Sequence, residues 1–164
     1  MMPQFKYVVL FCGIFLSGAA AQAADLCVSN LKEFNQNKDQ LPAVFRNLDS
    51  ESLMWSIDST AVTAGIKIYF DGNDLRMRGG VWTLFDLYND DNVIKKVCYG
   101  DETLVVTLEN GKKYNAKIKE TDDVIISGQT FKLSNEAKFA GIIEKVQQKI
   151  DNKRNSAPSA QGIN

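Results

Sequence analysis

Residues 66–78 read IKIYFDGNDLRMR, and they decide the fold class. Ile66, Ile68 and Phe70 alternate with Lys67 and Tyr69. After Asp71-Gly72-Asn73-Asp74, Leu75 and Met77 alternate with Arg76 and Arg78. Successive side chains of a strand point to opposite faces. If Phe70 lies across the turn from Leu75, both apolar sets fall on one face, which is the pattern of a β-hairpin.

The same period extends outward. Upstream, Leu53, Trp55 and Ile57 alternate with Met54, Ser56 and Asp58. Downstream, Gly79-Gly80 marks a bulge or bend. Residues 81–88 then carry Val81, Phe85 and Leu87 against Trp82, Leu84 and Tyr88, so both faces are apolar. A run of that kind is expected as one central, doubly covered strand. Val93, Val97 and Tyr99 precede Gly100-Asp101, and a two-residue turn there sets Val97 opposite Leu104 and Val93 opposite Leu108. At Asn110-Gly111, a two-residue turn would oppose Leu108 to Lys113. A three-residue loop with Gly111 left-handed instead opposes Val106 to Tyr114 and Leu104 to Ala116, burying one apolar set. After Thr121-Asp122-Asp123, residues 124–127 and 129–133 complete the strands.

Helical patterns flank this region. Leu26, Leu31 and Phe34 suit a short amphipathic helix over 25–35, and Pro42 can open a second turn at Ala43, Val44 and Phe45. Phe139, Ile142, Ile143, Val146 and Ile150 form one stripe of a helix over 135–153, with Ser134 as N-cap and Glu136 in the first turn. The expectation is an α+β chain: a mostly antiparallel β-meander, as a curved sheet or partly open barrel, with short N-terminal helices and a C-terminal amphipathic helix.

The first residues, MMPQFKYVVLFCGIFLSGAAAQA, have the layout of a cleavable signal peptide over 1–23. Lys6 is the basic start, residues 7–16 are apolar, and Ala21-Gln22-Ala23 fits a small-x-small cleavage site. The apolar run is roughly half the ~20 residues of a membrane span. Three regions are expected: the signal at 1–23, one α+β domain at 24–153, and a disordered polar tail at 154–164. Export to a periplasmic or extracellular compartment leaves Cys27 and Cys98, an even pair expected to form a disulfide. Cys98 points away from Val97 if the strand alternates strictly. The bond is then expected to fasten the N-terminal helix over Ile94 and Val105, with Phe139, Ile143 and Val146 on the opposite sheet face.

Composition narrows function. The chain contains no His and has a formal net charge of −1. Ser-His-Asp and Cys-His catalysis and His-ligated metals are thereby removed, and there is no basic footprint for nucleic acid. Asp71–Asp74, Asp90-Asp91-Asn92 and Asp122-Asp123 concentrate oxygen atoms, but Asp, Asn and Gly are also turn formers, and none has EF-hand spacing. No metal or cofactor is expected. Gly80-Val81-Trp82 is similar to the G-x-W at strand starts in lipocalin-type barrels. Those barrels need eight strands after it, whereas only about five follow here, so the chain is not assigned to them.

Trp55, Trp82, Phe85, Tyr88 and Tyr114 are expected first as core residues and second as the lining of a ligand cavity, which makes them the candidate ligand-binding residues. The leading functional expectation is an exported, non-enzymatic domain that binds a protein or envelope component. The alternatives are a carrier of a small apolar ligand in a barrel-like cavity and a hydrolase using paired carboxylates.

Overall fold

A computed structural model of the chain describes residues 25–156. The expected signal segment, and the expected tail beyond residue 156, lie outside the described residues. The order is β1 (Leu26–Val28), α1 (Leu31–Asn37), 3-10 turns at Lys38–Gln40 and Ala43–Phe45, β2 (Leu53–Asp58), β3 (Thr63–Asp71), β4 (Asp74–Trp82) and β5 (Leu87–Gly100). There follow β6 (Thr103–Leu108), β7 (Lys113–Ile118), β8 (Val124–Ile126), β9 (Gln129–Leu133) and α2 (Glu136–Ser156). All pairings are antiparallel, and the strands β5-β4-β3-β2-β9-β8-β7-β6 close through a β5–β6 pairing into an eight-strand barrel. The expected α+β meander is present, and its sheet closes.

Phe70 faces Leu75, Val106 faces Tyr114 and Leu104 faces Ala116, as the period predicts. Gly111 has φ +90°, the left-handed conformation its loop requires. The β5–β6 turn is shifted by one residue from its expected place. Asp101 and Glu102, both with positive φ, form it, and Val97 faces Val106. That shift moves partners by two positions, so the faces are preserved.

Several expectations fail for identifiable reasons. Residues 81–88 are not one strand: β4 ends at Trp82, the chain turns through 83–86, and β5 begins at Leu87. The turn is closed by Thr83, whose amide donates to the Asp86 carbonyl and whose Oγ1 accepts from the amides of Phe85 and Asp86. With Leu84 and Phe85 at its tip, it carries no Gly, Asn or Pro signal. Asp90-Asp91-Asn92 is likewise not a turn but the middle of β5, and Gly79-Gly80 lies within the regular β4–β5 and β3–β4 ladders. At the helix start, Asn135 rather than Ser134 is the cap, its Oδ1 accepting from Lys138 N at 2.9 Å, and the helix continues three residues past 153.

A further failure concerns layering. A β-bulge between Ile94 and Lys96 breaks strict alternation in β5, so Ile94 and Val97 both point inward. Phe34 is also inside. With Leu41, Phe45 and Leu48 it closes one barrel end against Val28, Ile68, Leu75 and Val97. Leu26–Val28 is a strand, not helix, and Cys27 pairs directly opposite Cys98. The two cysteines are bonded, with Cα atoms 4.0 Å apart, on the outer surface. The disulfide therefore fastens β1 to β5 and leaves α1 within the plug; the sheet is not sandwiched between two helical layers. A disulfide is consistent with an oxidising, exported environment.

Among the described residues, the one helix on the barrel's outside is α2, and small residues seat it. Ser56, Gly65, Gly80 and Asn89 are cross-strand neighbours in one row. A Cβ on Gly65 would lie 3.1 Å from the Phe139 ring and 3.2 Å from Ile142. One on Gly80 would lie 2.6 Å from Ile143 and 3.7 Å from Val146. Asn89 Nδ2 donates to Gln147 Oε1 at 2.8 Å. Gly65 to Asn89 is two strand spacings, about 10 Å, or about seven residues of helical rise. Phe139 and Ile142 at one end and Gln147 at the other bracket that interval, so α2 crosses the strands along the row. Phe139, Ile142 and Val146 are buried there, each worth about 1.5–3 kcal/mol in burial.

Two outcomes follow from this packing. Gly65→Leu is expected to destabilise the fold by about 1–3 kcal/mol through overpacking against Phe139, measured by chemical denaturation; an unchanged midpoint would refute the seating of α2. The disulfide closes a separation of 71 residues. Converting both cysteines to Ser is expected to cost about 4 kcal/mol by loop entropy and to raise hydrogen exchange in Leu26–Val28 ahead of β2–β9. Equal exchange in β1 with and without the bond would refute its role in holding that strand.

Candidate functional site

The five aromatic candidates do not form one internal cavity. Trp55 is core: it is 2% exposed, its indole donates to the Asp122 carbonyl at 2.9 Å, and its ring lies 6.0 Å from that of Phe45. The interior around it is filled by Ile66, Met77, Leu104, Val106, Leu108 and Phe131. Between the plug and the barrel wall a cavity of about 10 Å³ remains, about the space one water needs and far below a ligand pocket.

The other four collect at the barrel end opposite the plug. Tyr88 and Tyr114 sit inside its rim, on β5 and β7. Burial, and next to it the Tyr114 hydroxyl, raise the pKa of Tyr88 above its ordinary 10.0. Lys112 Nζ lies 5.5 Å from the Tyr88 ring centroid. Asn110, in the neighbouring β6–β7 loop, donates its amide to Asn92 at 3.4 Å. Trp82 points outward on the last residue of β4, and the Lys149 ammonium sits 3.5 Å from its ring centroid, a cation–π contact. Phe85 is 90% exposed and its neighbour Leu84 81%.

The exposure of this pair is the most unusual feature of the surface. The turn around it is held by the three Thr83–Asp86 contacts, so the backbone presents both side chains as a fixed convex tip. Beside it runs an open groove of about 430 Å³ between Trp82, Leu84 and Leu87 on one side and Asn152, Lys153 and Ser156 on the other. A second hollow of about 370 Å³ continues past Leu87 to Ile150 and Arg154. The groove exists because α2, having crossed the strands, runs on past the sheet beside the β4–β5 loop. Leu84, Lys149, Lys153 and Arg154 were not singled out from sequence. Thr83 three residues ahead of Asp86 is the one local signal that could have exposed the turn.

Asp91 and Asp58 are engaged in surface contacts. Asp91 accepts from Arg76 Nε at 3.1 Å and from the Tyr69 hydroxyl, and burial with that carboxylate raises the Tyr69 pKa. Asp58 accepts from Lys145 and Thr63, and the Lys145 contact above all holds its pKa below the ordinary 3.8. Among the described residues no three His, Cys, Asp or Glu side chains converge as a metal set, and no helix is long and apolar enough to cross a membrane. Comparison of the chain with known protein families, with curated proteins and with solved structures finds no match.

The raised pKa of Tyr88 sets a pH dependence. The folded protein holds this proton more tightly than the unfolded chain, so the stabilisation is complete below pH 10 and is lost as pH rises beyond it. In alkaline denaturation series, Tyr88→Phe is expected to flatten the fall in stability above pH 10. An alkaline limb identical to that of the wild type would mean that the hydroxyl is not held neutral by the rim.

Proposed function

We propose that the protein is an exported, non-enzymatic binding domain whose contact surface is the β4–β5 tip and the adjoining end of α2. One observation carries this reading: a backbone-fixed turn holds Leu84 and Phe85 almost fully in water. Leaving two large apolar side chains exposed at adjacent positions forgoes about 1.5–3 kcal/mol of burial for each. Contiguous exposed apolar surface marks interaction sites.

The β-barrel fold is compatible with a binding or carrier role. What supports a surface role over an internal one is the filled interior. An apolar carrier needs a cavity on the order of 300–1,000 Å³, and the wall here is packed against Trp55, Leu104 and Leu108. What weighs against the hydrolase is that Asp58 and Asp91 are each paired with a cation, and that Asp58, held low by the Lys145 ammonium, is a poor proton donor near neutrality.

A photo-crosslinking residue at position 85 tests the reading in the native envelope fraction. Adducts are expected from position 85 and not from a control at Lys119, which follows β7 at the plugged end. Adducts of equal yield at both positions, or none at 85, would remove the tip as the contact surface.

A further inference from the structure

We infer that the ligand of this surface is an anionic phospholipid bilayer, into whose interface the tip of Leu84 and Phe85 inserts; the inference rests on the binding reading above and specifies its partner. Three features point to a bilayer. The tip is convex, with its two side chains 81% and 90% exposed. A protruding apolar knob needs a fitted pocket on a protein partner, whereas a bilayer yields to it without one. The second feature is Trp82, just behind the tip on β4. An amphipathic indole at the base of an inserted loop sits at the depth where such rings concentrate in membranes.

The third is charge. Lys153 and Arg154 line the hollows beside the tip and Lys149 sits over the Trp82 ring, and none of the three is in an ion pair among the described residues. Three carboxylates lie near them: Asp86, Asp151, which already accepts from Gln147 Nε2 at 3.0 Å, and Asp58, which is in the field of Lys149 but is paired with Lys145. With Lys145 counted beside its partner Asp58, four cations stand against three carboxylates, which leaves a local excess of positive charge on a chain whose formal net charge is −1. Basic side chains beside an apolar insertion element are attracted to anionic headgroups, over a range set by the Debye length. The export expected from residues 1–23 would place this surface where phospholipid leaflets are available. The mode is peripheral: one tight turn dips into the interface, and the barrel stays in water.

Co-sedimentation of the protein with vesicles tests this, using phosphatidylglycerol with phosphatidylethanolamine in one set and phosphatidylcholine alone in the other. Binding to the first set is expected, with weakening at high salt and a blue shift of Trp82 emission. Leu84→Ser with Phe85→Ser is expected to lower affinity about tenfold or more. Both positions are exposed, so the melting temperature should not move. Lys153→Gln with Arg154→Gln should weaken binding to the anionic vesicles while leaving the fold intact. Equal binding to both vesicle sets, or unchanged binding of the tip variant, overturns the inference. If neither vesicle set binds but the crosslinker at 85 still forms a protein adduct, the lipid is wrong and the contact surface stands. If neither vesicles nor crosslinks report the tip, both readings fall.

Discussion

Everything in this molecule depends on β5 serving two neighbours on one edge. Its first half, from Leu87 to Val93, pairs with β4. Its second half gives that same edge to β1 and its other edge to β6. The second pairing converts an open meander into a barrel, and the bulge between Ile94 and Lys96 marks the change. An extra residue increases local twist and bend, which is what a strand needs to leave one wall and enter the next. Without the bulge, Ile94 and Val97 could not both point inward, and the barrel would lose part of its lining.

Closure has two consequences for function. It pairs β5 with β6, so the eight barrel strands have no terminal strand open to addition, while β1, paired with β5 alone, is a strand of three residues. It also makes interior volume the deciding quantity for a carrier, and here the volume is taken. Phe34, Leu41, Phe45 and Leu48 fill one end, and Trp55 with the aliphatic wall fills the middle. Contact with other molecules is thereby moved to the outside and to the far rim. There α2 ends beside the β4–β5 loop because the small-residue row of Ser56, Gly65 and Gly80 gives the helix a seat that aims it at Trp82.

The strands and hairpins were legible because turn chemistry and period two agreed. Asp71–Asp74 and Asn110-Gly111 announced their turns, and the apolar sets on either side admitted one consistent register. The 83–86 turn was hidden because its closure comes from one threonine hydroxyl, while its tip residues are apolar. Apolar residues in the middle of an apolar run read as a continuing strand. The four rim aromatics were named from sequence, but as core or as lining of a cavity. Nothing local distinguishes Phe85 in water from Trp55 in the core, since exposure is a property of what lies opposite.

The sequence by itself determined the element types, most hairpin registers and the apolar stripe of the last helix. These depend on side-chain alternation and turn residues, which act over a few positions. Tertiary structure alone decided closure of the sheet, the inward turn of Ile94, the burial of Phe34 as a plug and the strand-to-strand setting of the disulfide. Each of these rests on pairing between segments distant in the chain, where a single bulged residue reverses which face is inside. Local periodicity carries no information about that reversal, because it is paid for by the packing of the whole barrel.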